Sequence, residues 1–155
     1  KNVMPLILKE VPDAFFYVVG KGVSKKLKKY EKKYPVKFTG QVTNLEEWYK
    51  KAKITVVPLN IGSGTRLKIF ESMAYGKPVV STSLGTEGIE NTECFLIANT
   101  PEEFTRNIIL LHRDKTIYNK ITRNARIVVE EKYSWEKISQ KLGDTYIRII
   151  ENTAS

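Results

Sequence analysis

Hydrophobic and polar positions change their spacing repeatedly along this chain. Short, mainly apolar runs occupy residues 14–19, 36–39, 54–57, 78–82 and 94–98, and such runs predict buried β-strands. The segments between and after them carry apolar residues at spacings of three and four, which is typical of amphipathic helices. Strands that alternate with helices predict an α/β fold with a doubly wound, mainly parallel sheet and helices on both faces.

The chain opens on a helix rather than on a strand. Residues 3–10 form a predicted helix that leads directly into the strand at 14–19. A right-handed crossover between parallel strands needs a strand before its helix. We therefore expect the first strand to be missing from residues 1–155, and we expect these residues to be one domain, a fragment of a longer chain. In the usual order that strand is central, between the strands at 14–19 and 54–57.

The stretch 58–82 combines a strand end, a glycine loop, a helix start and a second strand. Gly62 and Gly64 allow the loop to adopt positive φ and to admit a ligand close to the backbone. The helix is predicted to begin at Thr65 or Arg66. A helix start carries unpaired N–H groups and the positive end of the helix dipole, so this loop predicts a phosphate site.

Glu71 extends that hypothesis, because it lies about two turns into the predicted helix. An acid there cannot cap the helix and would repel a phosphate placed directly beside it, but it could accept hydrogen bonds from ribose hydroxyls. Diphosphate at the helix start and ribose at Glu71 together describe a nucleoside diphosphate lying along the helix. The alternative is a plain strand-to-helix turn with a solvated glutamate, and the loop alone leaves both open.

The composition is that of one globular domain. The chain has 155 residues, of which 41% are hydrophobic and 28% charged, and no apolar run approaches the length of a transmembrane helix. Cys94 is the single cysteine and lies in the apolar run 94–98. This placement predicts a buried thiol in a reducing compartment, hence a cytoplasmic protein, and no disulfide or metal site is predicted.

The formal net charge of +9 indicates anionic partners. Six lysines crowd one predicted helix, with an apolar stripe of Leu27, Tyr30 and Tyr34. The plain interpretation is a solvated helix face, and the alternative is contact with an anionic membrane surface. No nucleic-acid-binding motif accompanies the charge, so a nucleic-acid partner is not expected. The six are Lys25, Lys26, Lys28, Lys29, Lys32 and Lys33.

Residues 62–89 read GSGTRLKIFESMAYGKPVVSTSLGTEGI. This segment resembles the donor-binding segment of retaining glycosyltransferases of family 4, also called glycosyl transferases group 1. The resemblance continues through VPDAFFYVVGKG, VKFTGQV and EEKYSWEKI, so it covers nearly the whole chain. It implies a Rossmann-like domain, the C-terminal half of a GT-B fold, in a chain of two domains.

The resemblance also assigns site residues. Glu71 matches the second of the family's two glutamates and would bind the ribose, whereas Ser63 occupies the position of the first, so no catalytic residue is assigned. The turn Gly40, Gln41 and Val42 would meet the nucleobase. The donor diphosphate would lie against Gly62, Ser63, Gly64, Thr65, Arg66, Leu67 and Lys68.

Two further loops leave predicted strands at the carboxyl edge, where open α/β sheets usually bind ligands. Gly20 and Lys21 follow the strand at 14–19, and Gly85 and Glu87 follow the strand at 78–82. These four residues are candidates for the border of the cleft, with the donor sugar near the second loop. The alternative for the second loop is a plain connection.

The expected function is transfer of a hexose from a UDP- or GDP-sugar to a sugar, lipid-linked or other acceptor, with retention of the anomeric configuration. The resemblance implies no cofactor and no metal, and it places acceptor recognition in a missing N-terminal domain, so the fragment alone is expected to be inactive. The protein would be cytoplasmic or peripheral on the inner face of the membrane. The alternatives are a nucleotide-sugar-binding or epimerase-like module without transferase activity, and a basic membrane-interaction domain.

Overall fold

The computed structural model describes residues 2–62, 64, 66–89 and 92–153, and for Thr92 the backbone only. The α-helices are α1 Met4–Glu10, α2 Lys25–Lys28, α3 Glu46–Lys51, α4 Leu67–Ala74, α5 Pro101–Arg113, α6 Lys115–Lys132 and α7 Trp135–Thr153. The strands are β1 Phe16–Val19, β2 Val36–Gly40, β3 Thr55–Val57, β4 Val79–Ser81 and β5 Phe95–Ile97. Short 3-10 turns occupy Lys29–Lys32, Leu84–Thr86 and Thr92–Cys94.

The five strands form two parallel sheets. One sheet pairs β1 with β2, and the other has the order β3-β4-β5. In the common doubly wound order 3-2-1-4-5-6, the pair of β2 and β1 corresponds to positions 3-2, and β3-β4-β5 corresponds to positions 4-5-6. The described residues supply no strand for the central position 1, which would separate β1 from β3 in the sheet. The predicted alternation of strands and helices is confirmed, and all strands of a sheet end at the same edge because they are parallel.

The three-stranded sheet is the buried centre of the molecule. Adjacent residues of β4 point to opposite faces, with Val79 packed in one apolar cluster and Val80 in another. The Val79 cluster includes α4 and α6, through residues such as Met73 and Ala125. The Val80 cluster includes α5, through residues such as Phe104. Helices on both faces of this sheet therefore fix the strand ends that carry the candidate site.

The two-stranded sheet and the helix beside it are less buried than the three-stranded sheet. Tyr17 of β1 is 48% exposed, and none of the residues of α2 is buried. The lysine-rich segment was predicted as one helix, but it forms α2 and then a 3-10 turn. With no buried face to stabilise it, a segment of closely spaced like charges gains little from continuing as a regular helix. Within it, the rings of Tyr30 and Tyr34 stack at a centroid distance of 6.3 Å.

Several predicted boundaries move by a few residues. Cys94 lies in the 3-10 turn before β5 rather than in the strand, but it is fully buried, and burial raises the pKa of its thiol. α5 begins at Pro101, behind a capping box formed by Thr100 and Glu103. Within the described part of the chain, no helix combines the length and the apolar character needed to cross a membrane.

Candidate functional site

The two glycines of the loop between β3 and α4 have the positive φ that the sequence predicts. Gly62 has φ 150° and Gly64 has φ 86°, values that favour glycine. Ser63 and Thr65 lie outside the described residues, so their predicted contacts with a diphosphate stay predictions. The loop therefore provides exposed backbone at the carboxyl end of β3, immediately before a helix.

The side chain of Arg66 folds under this loop. Its Nη1 donates to the Gly64 carbonyl at 2.7 Å and its Nη2 to the Gly62 carbonyl at 3.1 Å. Nη2 also lies 3.5 Å from the Leu84 carbonyl, in the loop that follows β4. Arg66 is only 9% exposed, and its Nε makes no hydrogen bond with any described residue. The guanidinium thus holds two loops together and places a buried positive charge beneath the candidate diphosphate site.

The first turn of α4 is open. Arg66 occupies the N-cap position with φ −86° and ψ 59°, and no side chain of the described residues caps the helix. Leu67 and Lys68, which begin the helix, are exposed. Among the described residues, no side chain accepts from the N–H groups of this turn, so they are available to an anion.

Glu71 lies one turn further along α4, with an exposed side chain. The Tyr49 hydroxyl, from α3, donates to Glu71 Oε2 at 2.9 Å. The ring of Tyr49 stacks on that of Tyr75 at a centroid distance of 5.1 Å and an interplanar angle of 12°. Burial raises the pKa of the Tyr49 hydroxyl, and the bond to Glu71 raises it further. The phenol therefore stays protonated and remains a donor to the carboxylate.

The turns after β1 and β2 meet each other. The Gly20 N–H donates to the Gly40 carbonyl at 3.0 Å, so these two turns form one surface. A pocket of about 350 Å³ opens there and includes Lys28, which was not predicted as a site residue. Val42 is not among the residues that line it. The lining residues are Lys21, Gly22, Val23, Lys28, Phe38, Thr39, Gly40 and Gln41.

The loop after β4 combines a buried and an exposed candidate. Gly85 is buried, and its N–H donates to Thr82 Oγ1 at 3.2 Å, while Thr82 Oγ1 donates to the Leu59 carbonyl at 2.6 Å. Glu87, two residues further, is exposed. Gly85 therefore shapes the loop from below, whereas Glu87 is accessible to a ligand.

The structure brings the candidate residues into two groups. One contains the glycine loop, Arg66 and the loop after β4, and the other contains the turns after β1 and β2. Within the described ranges, no hydrogen bond or ring contact joins the groups directly. Helix α3 lies between the elements that carry the two groups. Its Tyr49 contacts Glu71 of α4, and its Trp48 contacts Tyr17 of β1 at a centroid distance of 5.1 Å.

Tyr49 is a second residue of this site, besides Lys28, that the sequence did not indicate. Leu45 at the N-cap of α3, with Trp48 and Tyr49 within the helix, forms an apolar stripe that predicts packing alone. The Tyr49 hydroxyl was the signal that could have indicated a polar contact, because a half-buried phenol needs a hydrogen-bond partner. Its partner, 22 residues away on another helix, is visible only in the fold.

Comparison with known proteins gives the family. Residues 1–114 match the family described as "Glycosyl transferases group 1". Among curated proteins, the chain is 30% identical over 147 residues to an "Uncharacterized 44.6 kDa protein in cps region" of Klebsiella pneumoniae. That match covers 88% of this chain but only 38% of the relative.

Solved structures give the same fold. A mutant of S. aureus TarM, in complex with Fondaparinux, alpha-GlcNAc-glycerol and UDP, matches with a TM-score of 0.73 and 25% identity, over 92% of this chain and 31% of that chain. The C-terminal domain of a glycosyl transferase group 1 family protein (LpcC) from Francisella tularensis matches with a TM-score of 0.73 and 23% identity. That match covers 86% of this chain and 77% of the LpcC chain. The described fold matches the C-terminal, Rossmann-like half of GT-B glycosyltransferases.

Proposed function

Because the chain belongs to the glycosyl transferases group 1 family, we propose that it is the donor-binding domain of a retaining family 4 glycosyltransferase. The donor is a nucleoside diphosphate hexose, and the acceptor, a sugar, a lipid-linked sugar or another hydroxyl compound, is recognised mainly outside residues 1–155. The chain spans 38% of its curated relative and 31% of the TarM chain, so the activity of the whole protein is part of this proposal.

The observation that carries the proposal is the open start of α4 with Glu71 one turn beyond it. In the proposed complex, the diphosphate lies against the N–H groups of Leu67 and Lys68, and the ribose hydroxyls donate to Glu71. The nucleobase lies at the pocket that includes Gly40 and Gln41. The UDP in the TarM complex supports uridine as the nucleoside, since that protein is 25% identical to this chain.

In the proposed reaction, the bond between the anomeric carbon and the diphosphate oxygen breaks, the oxygen of the acceptor hydroxyl bonds to the same face of the sugar, and the proton of that hydroxyl passes to the departing diphosphate. Negative charge develops on the departing diphosphate. The start of α4 stabilises that charge through its N–H groups and its dipole, with Lys68 beside it and the Arg66 guanidinium beneath the loop. These groups are already in place, so stabilising the charge needs little reorganisation.

Two measurements test this proposal on the full-length protein. Calorimetry with UDP, GDP, ADP and CDP is expected to show binding that prefers UDP, and incubation with UDP-hexoses and a glycan acceptor is expected to show transfer. Binding of a nucleotide-sugar with no transfer to any acceptor would instead favour the module without transferase activity. An absence of nucleotide binding would contradict both.

Removal of divalent metal is expected to leave transfer unchanged. The resemblance to family 4 implies no metal, and the helix start and its neighbouring basic side chains supply the positive charge that a metal would otherwise provide. The measurement is the initial rate of transfer by the full-length protein with EDTA and with added Mg²⁺. A rate that collapses in EDTA and recovers with Mg²⁺ would contradict this expectation.

The lysine-rich segment supports a second property, attachment to anionic membranes. The side chains of Lys25, Lys26, Lys29 and Lys32 are exposed, and none of them lines the pocket that contains Lys28. Each lysine near an anionic surface contributes up to about 1 kcal/mol. Four lysines on one short segment therefore form the proposed contact with the inner face of the membrane.

Reversing Lys25, Lys26, Lys29 and Lys32 to glutamate is expected to weaken binding to phosphatidylserine vesicles about tenfold or more, with UDP binding unchanged. The matched control reverses four other exposed lysines, on α6 and α7, and so changes the net charge equally. Equal losses in both variants, or no loss in either, would identify the segment as a solvated face. The control lysines are Lys115, Lys120, Lys137 and Lys141.

A further inference from the structure

Tyr49 reaches from α3 onto the exposed side of α4. Its ring lies against Tyr75 at the C-cap of α4, and its hydroxyl lies one turn closer to the helix start, beside Glu71. The phenol is therefore held at two points, by ring stacking at one end and by a hydrogen bond at the other. Such a side chain has little freedom left, so it can fix the group that it contacts.

The hydroxyl has two acceptors within reach, and their geometry favours the carboxylate. Glu71 Oε2 is at 2.9 Å, whereas the Lys68 carbonyl is at 3.5 Å. That carbonyl already accepts from the Ser72 hydroxyl at 2.6 Å. A phenol hydroxyl has one proton to donate, and a charged acceptor at the shorter distance forms the stronger bond. The proton of Tyr49 therefore goes to Glu71.

We propose that Tyr49 is a positioning residue for the donor nucleotide, which it serves by holding Oε2 of Glu71 so that Oε1 is presented to the ribose hydroxyls. This inference rests on the proposed function, because it takes Glu71 as the ribose ligand. Among the described residues, Oε1 accepts no hydrogen bond, so it is available to a ligand. Tyr49 does not contact the reacting atoms and acts through Glu71.

The physical advantage is preorganisation. An exposed glutamate on a helix samples several rotamers, and ordering it on ligand binding costs free energy. A carboxylate with one oxygen already bonded to a fixed phenol has lost most of that freedom before the nucleotide arrives. The benefit exists only for ligands that bond to Oε1, so Tyr49 should affect ribonucleotides and leave nucleotides without ribose hydroxyls unaffected.

Tyr49→Phe tests this directly, because it removes the hydroxyl and keeps the ring that stacks on Tyr75. Calorimetry on the full-length protein compares UDP with 2′,3′-dideoxy-UDP. We expect UDP affinity to fall about three- to tenfold and dideoxy-UDP affinity to stay unchanged. The control is Tyr118→Phe, which removes a hydroxyl that donates to the Lys53 carbonyl at 3.0 Å and should alter neither affinity.

The dideoxy nucleotide also separates positioning from general damage. If Tyr49→Phe weakens both nucleotides equally, the role is structural and the inference is overturned. Tighter UDP binding would overturn it as well, because the phenol would then compete with the ribose for the carboxylate.

Glu71→Ala distinguishes failure of this inference from failure of the ribose assignment. If Glu71→Ala leaves the preference for UDP over dideoxy-UDP intact, the assignment of Glu71 to the ribose is itself wrong. If Glu71→Ala abolishes that preference while Tyr49→Phe keeps it, only the positioning role fails. Adding Tyr49→Phe to Glu71→Ala is expected to cause no further loss, since the residue through which Tyr49 acts is gone.

Discussion

Replacing Glu71 with alanine is expected to weaken UDP binding by about 1 to 3 kcal/mol, or roughly 5- to 150-fold. The change removes a charged acceptor from an exposed position one turn into α4, where the proposed ribose hydroxyls donate. Alanine is the best helix former, so α4 should remain intact. Calorimetry on the full-length protein measures the affinity, and transfer from the UDP-hexose donor should fall in parallel.

Glu131→Ala is the matched control for this experiment. Glu131 is also an exposed glutamate within a helix, α6, so its replacement changes charge and helix propensity in the same way. UDP affinity should be unchanged in that variant. If a folded Glu71→Ala protein binds UDP as tightly as the unmodified protein, the assignment of Glu71 as the ribose ligand is wrong.

Much of the fold around this site follows from the local sequence. The glycine loop, the helix that follows it and the buried strand after Pro78 are determined by short-range features, namely glycine backbone freedom, helical spacing and a β-branched run. The same features located the open helix start and Glu71. The capping box at Thr100 and Glu103 is local in the same sense, because its two partners are three residues apart.

The direction of the Arg66 side chain could not be predicted in this way. Its position beside the loop indicated a charge available to phosphate, but the guanidinium donates to the Gly62 and Gly64 carbonyls and is almost fully buried. Three staggered rotamers at each sp³ torsion are open to an arginine, and which is occupied depends on the carbonyls that the folded loop presents. The contact of the guanidinium with the Leu84 carbonyl joins residues that are 18 positions apart, so it is a tertiary contact that local sequence does not show.

The contact between Tyr49 and Glu71 is a second example. Each residue was correctly placed on its own helix, but the angle at which α3 meets α4 decides whether the phenol reaches the carboxylate. Helix packing angles are set by the whole contact surface and not by either helix alone. In the lysine-rich segment, by contrast, the spacing predicted one continuous helix. That helix does not form, because the segment buries no residues of α2 that could stabilise it.

Gly85 carries the second large expected effect, and the reason lies in the packing beneath the loop after β4. A Cβ on Gly85 would overlap Ser81 Oγ and would approach Thr82 Oγ1 to 3.3 Å and Val57 Cγ1 to 3.4 Å. Ser81 is fully buried, and its hydroxyl lies within hydrogen-bond distance of the Val57 and Thr82 carbonyls, at 3.2 and 3.1 Å. The serine therefore cannot move aside without losing its buried acceptors.

Gly85→Ala is accordingly expected to lower the free energy of unfolding by about 1 to 3 kcal/mol, because the added methyl group overpacks a buried site. Gly143→Ala is the control, since Gly143 lies within α7 with no heavy atom near the added Cβ, and alanine there should stabilise the helix by about 0.5 to 1 kcal/mol. Urea unfolding of both full-length variants measures the two changes.

Because Gly85 supports the loop that Arg66 ties to the glycine loop, Gly85→Ala should also weaken UDP binding under folding conditions. Unchanged stability in Gly85→Ala would mean that this loop does not pack against β4 as described.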